Sequence, residues 1–325
     1  MSTLSVITSP IGDEWACFER RFAAVLESDN PLLRQVLVHI GKRGGKRMRP
    51  LLLLLMAKQL GGVTEVSYQS AVALELLHTA SLVHDDVVDE SDERRGQASV
   101  NALFNNKVSV LVGDYLLGTC LVLAGQTADC RIVEAVARLG QDLADGEILQ
   151  LANVATTAVD EQTYYEVIRK KTASLFATCA EVAAYSVDAP REVVEKARRF
   201  GESIGMCFQI KDDLFDYGLG DRIGKPVGND MREGKLTLPA LYVLARTTDV
   251  QALEWADKVK EGEASPEEIR ALTEYVKAHG GIEYAHSKMQ DFRQVALALL
   301  DEMGGEKAVK EALAAYVAYA ADRLM

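Results

Sequence analysis

Leu74-Glu75-Leu76-Leu77-His78-Thr79-Ala80-Ser81-Leu82-Val83 runs without a break into His84-Asp85-Asp86-Val87-Val88-Asp89. Apolar residues fall on nearly every face of the first ten positions, the pattern of a buried helix. A second stretch repeats the arrangement: Ile204-Gly205-Met206-Cys207-Phe208-Gln209-Ile210 leads into Lys211-Asp212-Asp213-Leu214-Phe215-Asp216. Each ends in Asp-Asp-x-x-Asp. Residues four apart share a helix face, about 5–6 Å from Cβ to Cβ. Asp85 is therefore expected over Asp89 and Asp212 over Asp216, with the middle Asp turned about 100° aside. Carboxylates this close repel one another unless a cation sits among them. Oxygen-only donors suit Mg2+, a hard ion held by one or two carboxylates with phosphate and water. Two such clusters across a cavity are expected to clamp a polyphosphate. Acidic triplets are common on solvated helix faces, but the apolar flanks argue against that reading here.

The flanks also set the fold class. Seven prolines leave Leu51 to Ala189 free of any, and that span is rich in Ala, Leu and Val, which suits consecutive long helices. Ser265-Pro266-Glu267-Glu268 reads as a capping box with Pro at the first helical position. Asp188-Ala189-Pro190, and Asp160 before Glu161, read as further helix starts. Sustained period-2 alternation is absent, so almost no strand is expected. The economical organisation is a single all-α domain over residues 1–325.

The chain of 325 residues carries net charge −12, which disfavours a nucleic-acid partner. Its five cysteines show no Cys-x-x-Cys spacing and indicate neither a zinc site nor a disulfide framework. Met1 to Pro10 lacks the basic and apolar regions of a signal peptide. The run Leu51–Ala57 stops at Lys58, short of the roughly 20 residues a spanning helix needs, so no transmembrane segment is expected. A cytoplasmic location follows from these features.

An anionic substrate also needs cations. Gly41-Lys42-Arg43-Gly44-Gly45-Lys46-Arg47-Met48-Arg49-Pro50 places five basic residues in the eight positions from 42 to 49. Its glycines let backbone approach a ligand, and Pro50 is expected to open a helix. It is not a Walker loop, because Arg47 follows Lys46. Arg94-Arg95 lies just beyond the first acidic cluster, and the planar fork of arginine suits phosphate. Gly218, Gly220, Gly224, Gly228 and Gly234 punctuate a polar stretch with Asp221, Arg222, Lys225, Asp230, Arg232 and Lys235, which reads as a loop and a candidate lid over phosphate.

With these motifs in order over about residues 40 to 240, the chain resembles the trans-isoprenyl diphosphate synthases, and among them the long-chain polyprenyl diphosphate synthases. Gly44 to Pro50, Leu82 to Asp89, Gly146-Glu147-Ile148-Leu149-Gln150 and Lys171-Thr172-Ala173-Ser174-Leu175-Phe176 carry the likeness. Gln209 to Asp216, Gly224-Lys225-Pro226 and Glu233-Gly234-Lys235-Leu236-Thr237-Leu238-Pro239 complete it. The resemblance implies an orthogonal bundle of roughly ten or more helices around a deep central cavity, and a homodimer. It implies repeated 1′-4 condensation of isopentenyl diphosphate onto an allylic diphosphate, with roughly two or three Mg2+ ions that Mn2+ can replace. Asp85, Asp89 and Asp212 match the main metal-contacting positions, with Asp86, Asp213 and Asp216 supporting. Lys46, Arg49, His78 and Arg95 match the isopentenyl diphosphate site. Arg94, Lys171, Thr172, Gln209 and Lys225 match the allylic diphosphate site, and Lys235 belongs with the substrate-binding residues. Transient membrane contact for product release is a further expectation.

Chain length is read one to three turns before Asp85, where Ser81, Ala80, Leu77 and Leu74 are expected to line a product tunnel. Ala80 and Ser81 leave it open where short-chain relatives carry an aromatic ring, so a product of about C30 to C50 is expected. No Phe, Tyr or Trp occurs between Tyr115 and Tyr164 to plug it, and Leu123, Val136 or Leu139 are candidates for its floor. A short-chain product is the alternative. A di-iron protein is a remote one, resting on Glu75-x-x-His78 and Glu283-x-x-His286. A terpene cyclase or a non-catalytic partner subunit fits poorly, because both acidic motifs are intact. His84 is expected to fix the Asp85 carboxylate, and Glu147 and Gln150 to satisfy buried polar partners.

Overall fold

The computed structural model describes residues 3–42, 45–94, 96–154, 160–218 and 228–322. Among them the only strands are Glu93–Arg94 (β1) and Gln97–Ala98 (β2), an antiparallel ribbon pairing Glu93 with Ala98. Everything else regular is helical, as the proline spacing requires.

Contacts divide the chain into two compact units. The first comprises residues 1–140, 175–198 and 302–315. It holds α1 (Thr3–Thr8), α2 (Gly12–Val25), α3 (Pro31–Lys42), α4 (Met48–Leu60), α5 (Glu65–Val88), α6 (Val100–Phe104) and α7 (Asn106–Gln126). It also takes the first part of α8 (Cys130–Val154) and α10 (Ser174–Tyr185) from Leu175 onward. The second comprises 141–174, 199–301 and 316–325. It holds the rest of α8, α9 (Glu161–Ile168), most of α11 (Arg191–Asp216), α12 (Asn229–Arg232), α13 (Leu238–Leu244), α14 (Val250–Glu261), α15 (Pro266–Ala278) and most of α16 (Gly281–Met303). The last turns of α17 (Lys307–Asp322) belong to it as well.

In the first unit α4 is buried all round, with Leu51 to Ala57 at most 1% exposed. Each such leucine contributes up to about 1.5–3 kcal/mol of burial. This run is therefore core. Pro50 does not open the helix as expected; α4 begins two residues earlier, at Met48, after Arg47 turns the chain with φ 42°. α5 starts from a Thr64–Ser67 capping box and packs most extensively along α7. Gly113 makes the close approach possible, since a Cβ there would overlap the His84 ring. α7 alone among the described residues is long and apolar enough to cross a membrane by length and composition, at mean hydropathy 1.8, with a third of that window buried. Its outer face leaves Leu111 and Val122 more than half exposed.

In the second unit, α13, α14 and α15 pack together around Leu238, Leu241, Val259, Leu272 and Val276, all buried. Asp160 caps α9 by accepting from the Gln162 and Thr163 backbone, and Ser265–Glu268 forms the expected capping box on α15. In the first unit, α11 starts one residue after Pro190, whose carbonyl accepts from Val193 and Val194.

Candidate functional site

Asp86 and Asp213, the middle carboxylates, are the most deeply placed of the six. The 100° offset that separates each from its neighbours turns it into the core. Asp86 has no exposed surface, and Arg94 Nε donates to its Oδ1 at 2.5 Å. Asp85 is half-buried on the last turn of α5 and Asp89 is exposed as its C-cap, its N–H still bonded to the Asp85 carbonyl at 2.8 Å. Asp86 is thus turned away from Asp85 and Asp89, as the helical spacing predicts. Among the described residues no three His, Cys, Asp or Glu side chains gather closely enough to cage an ion.

His84 does not fix Asp85 as expected. Its ring lies over Gly113, and Nε2 donates to the Val110 carbonyl at 3.2 Å, with Asp114 Oδ1 at 3.5 Å. Nearby, His78 is buried, Arg49 is half-buried with its guanidinium 5.1 Å from the Phe176 ring centre, and Lys46 is exposed. Leu77 and Ala80 are buried, whereas Ser81 is half-buried with its hydroxyl donating to the His78 carbonyl. Val136 and Leu139 are buried. Arg95 and Lys225, with residues 219 to 227 of the candidate lid, lie outside the described residues, and its described remainder contains the short helix α12 rather than a loop throughout.

The second unit contains a cavity of about 200 Å3. Lys171, Thr172, Gln209, Asp213 and Lys235 line it, so three motifs distant in sequence converge. A π-helical turn, Arg169–Ala173, carries Lys171 and Thr172 between α9 and α10. Such widened turns occur frequently at functional sites because the extra residue re-aims side chains. Gly146 lets α8 close on this turn; a Cβ there would sit 2.8 Å from Lys171 N. Glu147 and Gln150 have the polar partner expected of them. Glu147 Oε2 lies 2.5 Å from Lys171 Nζ, and Gln150 Oε1 accepts from it at 3.4 Å.

Asp213 Oδ2 accepts from Tyr164 O–H at 2.6 Å and Oδ1 from Gln209 Nε2 at 2.8 Å. Thr172 donates to Gln209 Oε1 at 2.8 Å. Burial, helped by Asp212 and Asp216, pushes Asp213 up to about 7 despite these donors. Asp216 accepts from the backbone of Asn229 at 2.8 Å and of Asp230 at 3.1 Å, tying α11 to α12. Asp230 itself is pushed up to about 8, first by burial and then by Asp213 and Asp216. Of the second motif, Asp212 is left half-buried at the position matched to metal contact.

Sequence reasoning did not assign Tyr164 or Lys260 to the site and named Asp230 only within the candidate lid, yet all three line the cavity. Tyr164 precedes Lys171 by seven residues, two helical turns, which was the available signal. Lys260 lies in α14, outside every motif, and nothing local marks it. The di-iron alternative loses its second half, because Glu283 and His286 are both exposed.

The sequence profile of the polyprenyl synthetase family matches residues 30–276. The octaprenyl diphosphate synthase of Haemophilus influenzae is 39% identical over 92% of this chain and 91% of its own. A decaprenyl diphosphate synthase structure from Rhodobacter capsulatus superposes with TM-score 0.93 at 32% identity, covering 99% of each chain. A geranylgeranyl pyrophosphate synthase structure from Bacteroides thetaiotaomicron gives TM-score 0.86 at 50% identity, over 99% of this chain and 100% of its own. These neighbours have the all-α isoprenoid synthase fold. Members of this family generally use divalent metal ions and take isopentenyl and allylic diphosphates as substrates. The chain belongs to the polyprenyl synthetase family, and it is a prenyltransferase.

Proposed function

We propose that this enzyme couples isopentenyl diphosphate to an allylic diphosphate in repeated 1′-4 trans condensations and releases a long-chain polyprenyl diphosphate. The carrying observation is the cavity where Lys171, Thr172, Gln209 and Lys235 meet. In this reading Lys171 and Lys235 take the negative charge that grows on the departing diphosphate as the allylic C1–O bond breaks. Preorganised cations of this kind are usually the largest electrostatic aid to such a step. The alkene of isopentenyl diphosphate then forms the new C–C bond to C1, and the released diphosphate accepts the proton lost from the adduct. Asp85, Asp89 and Asp212 offer hard oxygen donors and would hold Mg2+, or Mn2+ in its place, with Asp86, Asp213 and Asp216 supporting. Bound metal supplies Lewis-acid stabilisation of the diphosphate. Lys46, Arg49, His78 and Arg95 would hold isopentenyl diphosphate, and Arg94 and Lys225 would complete the allylic site.

The relatives named for octaprenyl and decaprenyl products favour a long chain, as do Ala80 and Ser81 before the first motif. The 50% identity to a geranylgeranyl pyrophosphate synthase favours the shorter reading. Reversed-phase chromatography of products made with both diphosphates and Mg2+ decides between them. About C30 or longer supports the first reading, and a C20 end point sinks it. Under the long-chain reading Ser81→Phe should cut the product to about C15–C20, because a ring at the half-buried position acts downstream of the chemistry.

The same reading treats the chain as one catalytic domain in a cytoplasmic homodimer. The exposed face of α7, with Val110, Leu111, Tyr115, Leu121 and Val122, is the surface offered for the second copy. Contact with a membrane is limited to product release.

A further inference from the structure

We infer that Tyr164 is a positioning residue for the allylic diphosphate, an inference that rests on the proposed function. Its side chain is 6% exposed, and its hydroxyl meets Asp213 at 2.6 Å inside the cavity. Both oxygens of Asp213 are matched to donors, Tyr164 O–H on one and Gln209 Nε2 on the other. That orientation turns the Gln209 carbonyl toward Thr172, whose hydroxyl donates to it at 2.8 Å. Four side chains from α9, the π turn and α11 thus form one directed chain: Tyr164 to Asp213, and Thr172 through Gln209 to Asp213. Tyr164 anchors the buried end, and Thr172 and Gln209 stand at the end matched to substrate.

Asp213, on this geometry, orients its neighbours, and its lone pairs are engaged by protein donors. This separates its role from that of Asp212, one residue earlier. The consequence is kinetic. Removing the Tyr164 hydroxyl frees one carboxylate oxygen, lets Asp213 and Gln209 turn, and blurs the position of Thr172. Binding of the allylic diphosphate suffers, while isopentenyl diphosphate, assigned to residues elsewhere, is untouched.

The test is steady-state kinetics of Tyr164→Phe in the full chain with Mg2+, varying each substrate separately. The ring stays to fill its buried site. The expected result is a rise of roughly tenfold in KM for the allylic diphosphate, with KM for isopentenyl diphosphate within about twofold of wild type. Adding Thr172→Val to Tyr164→Phe should cost less than the product of the two single effects, because both act through one hydrogen-bonded chain. A merely structural tyrosine would lower the melting temperature and leave both KM values alone, which overturns the inference. Equal changes in both KM values, or multiplicative effects in the double variant, overturn it as well. Should Tyr164→Phe fail to fold, Asp213→Asn must raise KM for the allylic diphosphate with KM for isopentenyl diphosphate within about twofold of wild type. An equal rise in both KM values would overturn the inference. Wild-type protein that fails to join the two diphosphates overturns the functional reading itself; normal kinetics of Tyr164→Phe in an active enzyme overturn only this inference.

Discussion

At the scale of single residues, Asp86 and Arg94 show what the acidic motif does besides meeting ligands. Asp86 is wholly buried, and Arg94, reaching it from β1, is only 28% exposed. Removing one partner of such a pair leaves an uncompensated buried charge. Arg94→Ala should therefore destabilise the fold by about 2–4 kcal/mol, read as a fall in urea midpoint. The same change made in an Asp86→Asn background should cost distinctly less. Equal losses in both backgrounds would mean the two side chains are not coupled. The motif spacing made the six carboxylates visible. It did not reveal that Asp86 faces inward to Arg94 and Asp213 to Tyr164, because those donors come from separate stretches of chain.

At the scale of elements, the site depends on how closely α8 meets the π turn. Gly146 has no room for a side chain, with Lys170 Cβ and Lys171 N both 2.8 Å from where a Cβ would sit. Backbone cannot yield as a side-chain tip can, so Gly146→Ala should push the turn and displace Lys171. Turnover should drop by roughly tenfold or more while circular dichroism keeps its helical signal. Wild-type turnover in this variant would show that Lys171 is not held by the contact. α7 poses a different question, since one face packs on α5 and the other is apolar and exposed. If that face meets a second copy, Leu111→Glu should shift light-scattering mass from dimer to monomer. An unchanged mass would place the dimer surface elsewhere.

At the scale of the whole molecule, the second unit holds two carboxylates whose proton affinity burial raises. Asp213 holds its proton to about 7 and Asp230 to about 8, chiefly because desolvation disfavours the charged form. In the unfolded chain an aspartate releases its proton near about 4. Between these limits the metal-free native state binds more protons than the unfolded state. Stability from this source is present below about pH 4 and is lost as pH rises through about 8. The urea midpoint of chelator-treated protein should fall from pH 5 to pH 8, and Asp230→Asn should flatten that slope. A midpoint that climbs over the same range would reverse the assignment.

The amino-acid sequence by itself determined the all-α class, the helix starts at Asp160, Ser265 and beside Pro190, and the family. It did so because capping, proline placement and the two Asp-Asp-x-x-Asp motifs are local chemistry, readable within one helical turn. Packing decided what spacing could not reach. It aimed His84 at α7 instead of at Asp85, started α4 before Pro50, and opened the turn that presents Lys171 and Thr172. It also drew Tyr164, Asp230 and Lys260 into one cavity with the motif residues. Those outcomes depend on which surfaces fit against which, as with Gly113 under the His84 ring and Gly146 against the π turn.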